Sequence, residues 1–248
     1  MFMVYNPWPL GNVNPEFHRP ELRALRENGY QYNDAREIIG IFEKKLADYA
    51  GSKYAVVLDC ASNAIFLSLK YKGVTGQILI PKHTYVSVPM QLIHAGCSVL
   101  FADIHWSGIY QLGTTGIYDG SARFTPNMFI GGKESLHILS FQIKKRLPIG
   151  RGGAILTDSL DAYEWLKLAS YDGRDLNSPY DSPEHVKGLG WHMYMTPEDA
   201  ARGILIFDKL GSGVFPDIAG NQSYPNVEPW IQGILESDEQ RNGLDKKR

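Results

Sequence analysis

At 248 residues, with 44% apolar and 21% charged side chains, the chain has the composition of a globular protein with room for one large core. Its formal net charge is −2, and its basic residues are scattered apart from one knot at Lys144-Lys145-Arg146, so there is no electrostatic case for nucleic acid. No apolar run approaches the ~20 residues that span a bilayer, and Met1 to Pro9 lacks the basic start and long apolar stretch of a signal peptide; a cytoplasmic protein away from membranes is expected.

Residues 5–20 carry Pro7, Pro9, Pro15 and Pro20, each of which fixes φ and removes a donor, so residues 1–20 read as an extended arm. Pro20 opens a short helix over Glu21 to Asn28 that Gly29 ends. Ile38, Ile39, Phe42, Leu46 and Tyr49 recur at helical spacing, with Asn33 or Asp34 as cap and Gly51 as stop. Tyr54 to Leu58 is a continuous apolar run, as expected of a strand buried on both faces. A helix carrying Ala64, Ile65, Leu67 and Leu69 follows, with Ser62 at the strand-to-helix turn. Ser62 there serves as an N-cap, as an anion ligand, or as both.

Gln77 to Ile80 and Ser98 to Asp103 are further strands, with a helix from Ser87 to Ala95 between them. Gly116-Ile-Tyr-Asp119 is a short strand ending in a carboxylate, and an Asp there serves equally to cap a turn. Ile138 to Phe141 and Ala154 to Leu156 are apolar strands on either side of the basic knot and a Gly-rich turn, Gly150 to Gly153. Leu160 to Leu168 is helical, a polar loop runs from Tyr171 to Met195, and Thr196-Pro-Glu-Asp199 has the form of a capping box that starts the next helix. Beyond Leu210 the pattern dissolves, leaving a weak apolar patch at Trp230-Ile231 and a charged end; an interaction arm or a partly disordered tail is expected. Alternating strands and helices argue for an α/β protein, a three-layer α/β/α arrangement around a mainly parallel sheet. Cys60 and Cys97 lie in apolar surroundings without metal-ligand spacing, and neither a GxGxxG nor a Walker lysine motif follows a strand.

A lysine just beyond a buried strand loses hydration, which favours the neutral, nucleophilic amine. Three adjacent basic residues could equally solvate a loop. What separates these readings is the company at neighbouring strand ends: Ala61-Ser62, Tyr85, Asp119, and Ser140 with Lys145. In order and chemistry this set resembles the DegT/DnrJ/StrS group of nucleotide-sugar aminotransferases, pyridoxal-phosphate enzymes of the aspartate-aminotransferase fold. The matching stretches are Cys60-Ala-Ser-Asn-Ala-Ile65, Pro81-Lys-His-Thr-Tyr85, Phe101-Ala-Asp-Ile104, Tyr118-Asp-Gly-Ser-Ala122, Ser140-Phe-Gln-Ile-Lys-Lys145 with Gly150-Arg-Gly-Gly153, Ser170-Tyr-Asp-Gly-Arg-Asp175 and Gly190-Trp-His-Met-Tyr-Met-Thr196.

The resemblance implies a PLP-binding large domain over residues 1–210, with 211–248 as a short remnant of the family's small domain. It implies pyridoxal 5'-phosphate as cofactor and Lys145 as the lysine that holds it and shuttles a proton, with Lys144 one residue out of register. Asp119 would pair with the pyridine nitrogen and Tyr85 would cover the ring. Ala61, Ser62 and Ser140 would hold the phosphate with Asn63 nearby, and Ala122 would stand beside the ring. His192 would stand where the family's Asn reaches the neighbouring subunit's phosphate. Its substrates would be a nucleotide-linked keto-sugar and an amino-acid donor, expected to be L-glutamate, in surface-polysaccharide or deoxyamino-sugar biosynthesis, and its assembly a homodimer. Departures stand beside the matches. Asp103 and Asp119 are 16 positions apart where the family carries a further strand and helix, Ala122 replaces a Gln or His, Arg151 replaces an acidic residue, and Tyr194 replaces an Arg. They leave a second reading open, a catalytically reduced PLP-binding or scaffold homologue.

Overall fold

The computed structural model describes residues 19–179, 181–210, 213 and 215–245. The expected arm over 1–20 thus lies outside the described residues except for Arg19 and Pro20. The elements are α1 (Pro20–Glu27), α2 (Glu37–Ala50), β1 (Tyr54–Leu58), α3 (Ala61–Tyr71), β2 (Gln77–Pro81), α4 (Ser87–His94), β3 (Ser98–Ala102), β4 (Tyr110–Gln111), β5 (Ile117–Asp119), β6 (Leu136–Ser140), β7 (Gly153–Thr157), α5 (Leu160–Ser170), α6 (Pro197–Phe207) and α7 (Glu228–Asp245). Gly51 closes α2 at φ 80°, a conformation that costs glycine little. The Thr196 side chain accepts from the Asp199 N–H to start α6.

The central sheet has the order β1-β7-β6-β5-β4, and β2 pairs with β3 beside it. The Gly113 N–H donates to the Leu79 carbonyl at 2.9 Å, which ties the β2–β3 pair to the end of the β4 segment. Side-chain alternation along the strands builds a core on each face. Ala55, Val57, Leu139, Phe141, Ala154 and Leu156 meet α2 and α6, with α1 packed outside them. Val56, Leu58, Ile138 and Ile155 meet α3 and α5 on the other face. Three layers result, and the continuous apolar character of β1 follows from burial on both sides.

The central sheet is mixed rather than mainly parallel: β7 runs antiparallel to both β1 and β6, and β4 antiparallel to β5, while β5 and β6 are parallel. The short returns from β4 to β5 and from β6 to β7 carry no crossover helix, and those strands pair antiparallel, whereas the longer connection over 120–135, also without a helix, brings β6 back parallel to β5.

Glu43 and His137 are among the polar residues buried within this frame. Glu43 of α2 accepts from the Val57 N–H at the open edge of β1 and from the Lys167 ammonium at 2.9 Å, clamping α2, β1 and α5 together. His137 of β6 has no exposed surface; its Nε2 lies 2.7 Å from the Ile130 carbonyl and its ring lies between Tyr118 and Phe129. Its Nδ1 has no partner, so the ring is the neutral tautomer that donates from Nε2.

Burial pushes the His137 imidazole down from 6.5 to about 4, against the hydrogen bond to Ile130. Between those values the unfolded chain binds a proton that the folded chain does not, so stability rises with pH across this window. Chemical denaturation of wild type and His137→Phe between pH 4 and 7 checks this. Wild type should lose on the order of 3 kcal/mol on acidification through the His137 contribution, and the variant should show a correspondingly flatter profile.

Candidate active site

A cavity of about 550 Å³ lies where the C-terminal ends of β1, β5 and β6 meet the start of α3. Its floor is set by a close backbone approach. A Cβ on Gly153 would lie 2.5 Å from the Ala61 nitrogen and 2.7 Å from the Cys60 carbonyl carbon, and Cys60 and Gly152 form an isolated bridge. Only a residue without a side chain lets β7 begin there. The Gly-rich turn therefore seats the start of α3 against the sheet.

At that helix start the Cys60 thiol, and not Ser62, is the N-cap: its Sγ accepts from the Asn63 N–H at 3.4 Å. Ser62 sits in the first turn and donates from its hydroxyl to the Ser87 hydroxyl at 2.7 Å. That bond leaves the Ser87 proton free to point elsewhere, and both serines line the cavity. Helix-start N–H groups have no partner within their own helix, and the dipole adds partial positive charge there. Together they suit an anion.

Across the cavity Asp119 is buried, 7% exposed, at the end of β5. Its Oδ2 accepts from the Tyr110 hydroxyl at 2.9 Å and its Oδ1 from the Ser121 N–H at 3.0 Å. Ser140 at the end of β6 and Ala122 after β5 complete this side. Of the basic knot, Lys144 is exposed and Lys145 is half-buried, and both line the cavity. Burial pushes the Lys145 ammonium below its ordinary value, while the Asp119 carboxylate pulls it back up. Arg146 turns away, donating to the Pro216 carbonyl and lying over the Phe215 ring.

Tyr85, 58% exposed, forms an aromatic rim with Tyr224, which stacks on Trp106 at 5.8 Å. Tyr224 comes from the segment beyond Leu210, where an arm or disordered tail was expected. That segment instead returns to the body. Arg123 pairs with Asp217 at 2.8 Å, the Ile218 N–H donates to Ala122, the Gly108 N–H donates to Ala219, and the Val227 N–H donates to Lys82. Ile218, Ala219, Ser223 and Tyr224 form one wall of the cavity.

Seven of the nine residues expected at the site thus line one cavity: Lys145, Ala61, Ser62, Tyr85, Asp119, Ala122 and Ser140. Asn63 does not; its amide donates to Asp59 at 2.8 Å. His192 does not either; it is exposed on the loop after α5, with Nδ1 3.0 Å from Asp172 and its ring edge-on to Tyr194. Tyr110, Trp106, Ser87 and Tyr224 were not legible as site residues, since no periodicity or motif distinguished them. Arg151, noted only as a departure, lies at the rim with its guanidinium held by Asp59 at 2.8 Å.

Residues 18–110 match the DegT/DnrJ/EryC1/StrS aminotransferase family. A stretch of 65 residues, 25% of the chain, is 37% identical to 17% of the spore coat polysaccharide biosynthesis protein SpsC of Bacillus subtilis (strain 168). The fold is similar to that of several solved structures. These include CalS13 from Micromonospora echinospora (TM-score 0.61, 12% identity), NtdA from Bacillus subtilis with bound cofactor PMP (0.58, 16%) and DesI in the presence of its TDP-sugar product (0.56, 19%). The matches take in 77%, 80% and 77% of this chain and 65%, 54% and 57% of those chains, respectively.

Gly153→Ala tests the close approach that seats α3. The added methyl meets backbone rather than a movable side chain, so we expect a loss of about 1–3 kcal/mol in chemical denaturation. Gly132→Ala, where nothing lies within 4 Å of the added carbon, should stay near wild type.

Proposed function

We propose that this protein is a pyridoxal-phosphate-dependent sugar aminotransferase that moves an amino group, with L-glutamate as donor, to a keto-sugar carried on a nucleotide. One observation carries the reading: a half-buried lysine, a buried carboxylate and a serine-bearing helix start line the same cavity. The family match over residues 18–110, the TDP-sugar product named for DesI and the cofactor PMP named for NtdA support it.

The donor set fits the cofactor. The N-terminus of α3 with Ser62, Ser87 and Ser140 would take its phosphate, the Asp119 carboxylate its ring N–H, the Tyr85 ring its face, and Lys145 its aldehyde. Pyridoxal 5'-phosphate, when bound, supplies an electron sink for the charge left on the amino-bearing carbon after deprotonation. The chain's own residues do the rest. Lys145 Nζ, whose burial favours the uncharged amine, takes the proton from the donor's amino-bearing carbon and returns one to the acceptor side. Asp119, held from two sides, would offer a fixed acceptor to the ring nitrogen. The wall from Ile218 to Tyr224 limits access of water, and Lys144 and Arg151 place positive charge at the mouth, where a nucleotide's phosphates would enter.

In this reading residues 1–210 are the cofactor-binding body and 211–248 a remnant of the small domain, which contributes the aromatic wall. We place the protein in the cytoplasm, in polysaccharide or deoxyamino-sugar biosynthesis; among the described residues no helix is long and apolar enough to cross a membrane. We further propose a homodimer, in which exposed His192 faces the partner's site.

Borohydride reduction of PLP-loaded protein followed by peptide mass spectrometry tests the assignment. A pyridoxyl mass on the Lys145 peptide is expected, lost in Lys145→Ala and kept in Lys144→Ala. Absence of any adduct in wild type sinks the proposal, and equal loss in both variants sinks the choice of lysine. An adduct on Lys145 without amino transfer from glutamate or other amino acids would replace the enzyme by a cofactor-binding subunit. Sedimentation should show a dimer; a monomer at high concentration would overturn the shared site.

A further inference from the structure

The segment between Asp103 and Asp119 is short, and its chemistry follows from a hairpin register. In the β4–β5 pair Tyr110 lies directly opposite Asp119. Directly opposed residues of an antiparallel pair share a face with their Cβ atoms about 5 Å apart, which brings a phenol within reach of a carboxylate. Tyr110 is 7% exposed, and its hydroxyl lies 2.9 Å from Asp119 Oδ2 and 2.5 Å from Thr84 Oγ1. Thr84 is 1% exposed.

Counting protons orders the chain. A phenol has one hydrogen, and an ionised carboxylate only accepts, so the Tyr110 proton goes to Asp119. The phenol oxygen can then only accept from Thr84, and the relay runs Thr84 to Tyr110 to Asp119. Burial, and next the Asp119 charge, push the Tyr110 phenol far above the usual tyrosine range, so its proton stays in place as donor. With Oδ1 taken by the Ser121 N–H, each carboxylate oxygen has one fixed partner. A carboxylate has about four acceptor sites. Acceptor capacity therefore remains on a residue that lines the cavity.

We infer that Tyr110, anchored by Thr84, is a positioning residue that locks the Asp119 carboxylate with an acceptor lobe toward the cofactor's ring nitrogen. The inference rests on the pyridoxal-phosphate reading. Without the phenol, Oδ2 loses its buried partner, and the carboxylate is free to rotate toward another donor and away from the ring. Phe in place of Tyr110 keeps the ring's packing against Trp106 (centroids 4.8 Å apart) and removes only the hydroxyl.

The test compares two cofactors, pyridoxal phosphate and its 1-deaza analogue, in which carbon replaces the ring nitrogen so that no ring N–H can meet Asp119. Affinities for both are measured by equilibrium dialysis on wild type, Tyr110→Phe and Thr84→Val, with thermal melts to confirm folding. Wild type should prefer pyridoxal phosphate. Tyr110→Phe should weaken that ligand about tenfold, as expected for loss of a charge-assisted bond, and leave the analogue within about twofold. Thr84→Val should act in the same sense to a smaller extent, and it carries the test alone if Tyr110→Phe does not fold. Equal weakening of both ligands, or no weakening, overturns the inference while wild-type binding keeps the functional reading. Wild type that binds neither ligand overturns both.

Discussion

The contact between the start of β7 and the start of α3 is the constraint on which the cavity depends. The backbone of Gly153 lies against that of Cys60 and Ala61, so the first turn of the helix is pressed onto the end of the sheet, with no side chain between them. Close approach of this kind is paid for in conformational entropy, which is why it occurs only where glycine allows it. It fixes where the helix N-terminus points, and so where an anion is favoured. The serines, the lysine and the aspartate are arranged around that point.

Burial decides which members of a chemically uniform run differ. Lys144, Lys145 and Arg146 are adjacent cations in the sequence, yet the turn after β6 exposes the first, half-buries the second and sends the third onto Phe215 and the Pro216 carbonyl. A lysine deprived of water is the one whose charge is disfavoured. The same logic, with partners supplied, runs through the rest of the interior. Glu43 is tolerated because Lys167 and the Val57 N–H meet it, and Asp119 because Tyr110 and Ser121 do.

The residues beyond Leu210 show how a few local contacts can build one wall of the cavity. The segment has little apolar pattern, but an Arg123–Asp217 pair and a series of backbone hydrogen bonds to residues 82, 106, 108 and 122 draw it along the sheet edge. Tyr224 and Trp106 then stack to form an aromatic side to the cavity. The hairpin of β4 and β5 likewise uses few residues, and cross-strand pairing sets Tyr110 against Asp119.

The order of elements, the apolar strands, the helix stops at glycine and the strand-end set from Ala61 to Lys145 were readable because each rests on local periodicity, backbone preference or spacing along the chain. The motif resemblance added roles to those residues, and seven of the nine meet at one cavity. Asn63 and His192 do not, because one is claimed by Asp59 and the other lies on an exposed loop, and neither fact has a local signature. The direction of β7, the thiol cap at Cys60, the Tyr110 relay and the wall from the C-terminal segment all depend on residues distant in sequence, or on the register of a two-residue strand. Sequence by itself determined which groups could do the chemistry, since residue type and spacing are local properties; tertiary structure alone decided which of them lose water and which find a partner, since burial and register are set by the whole fold.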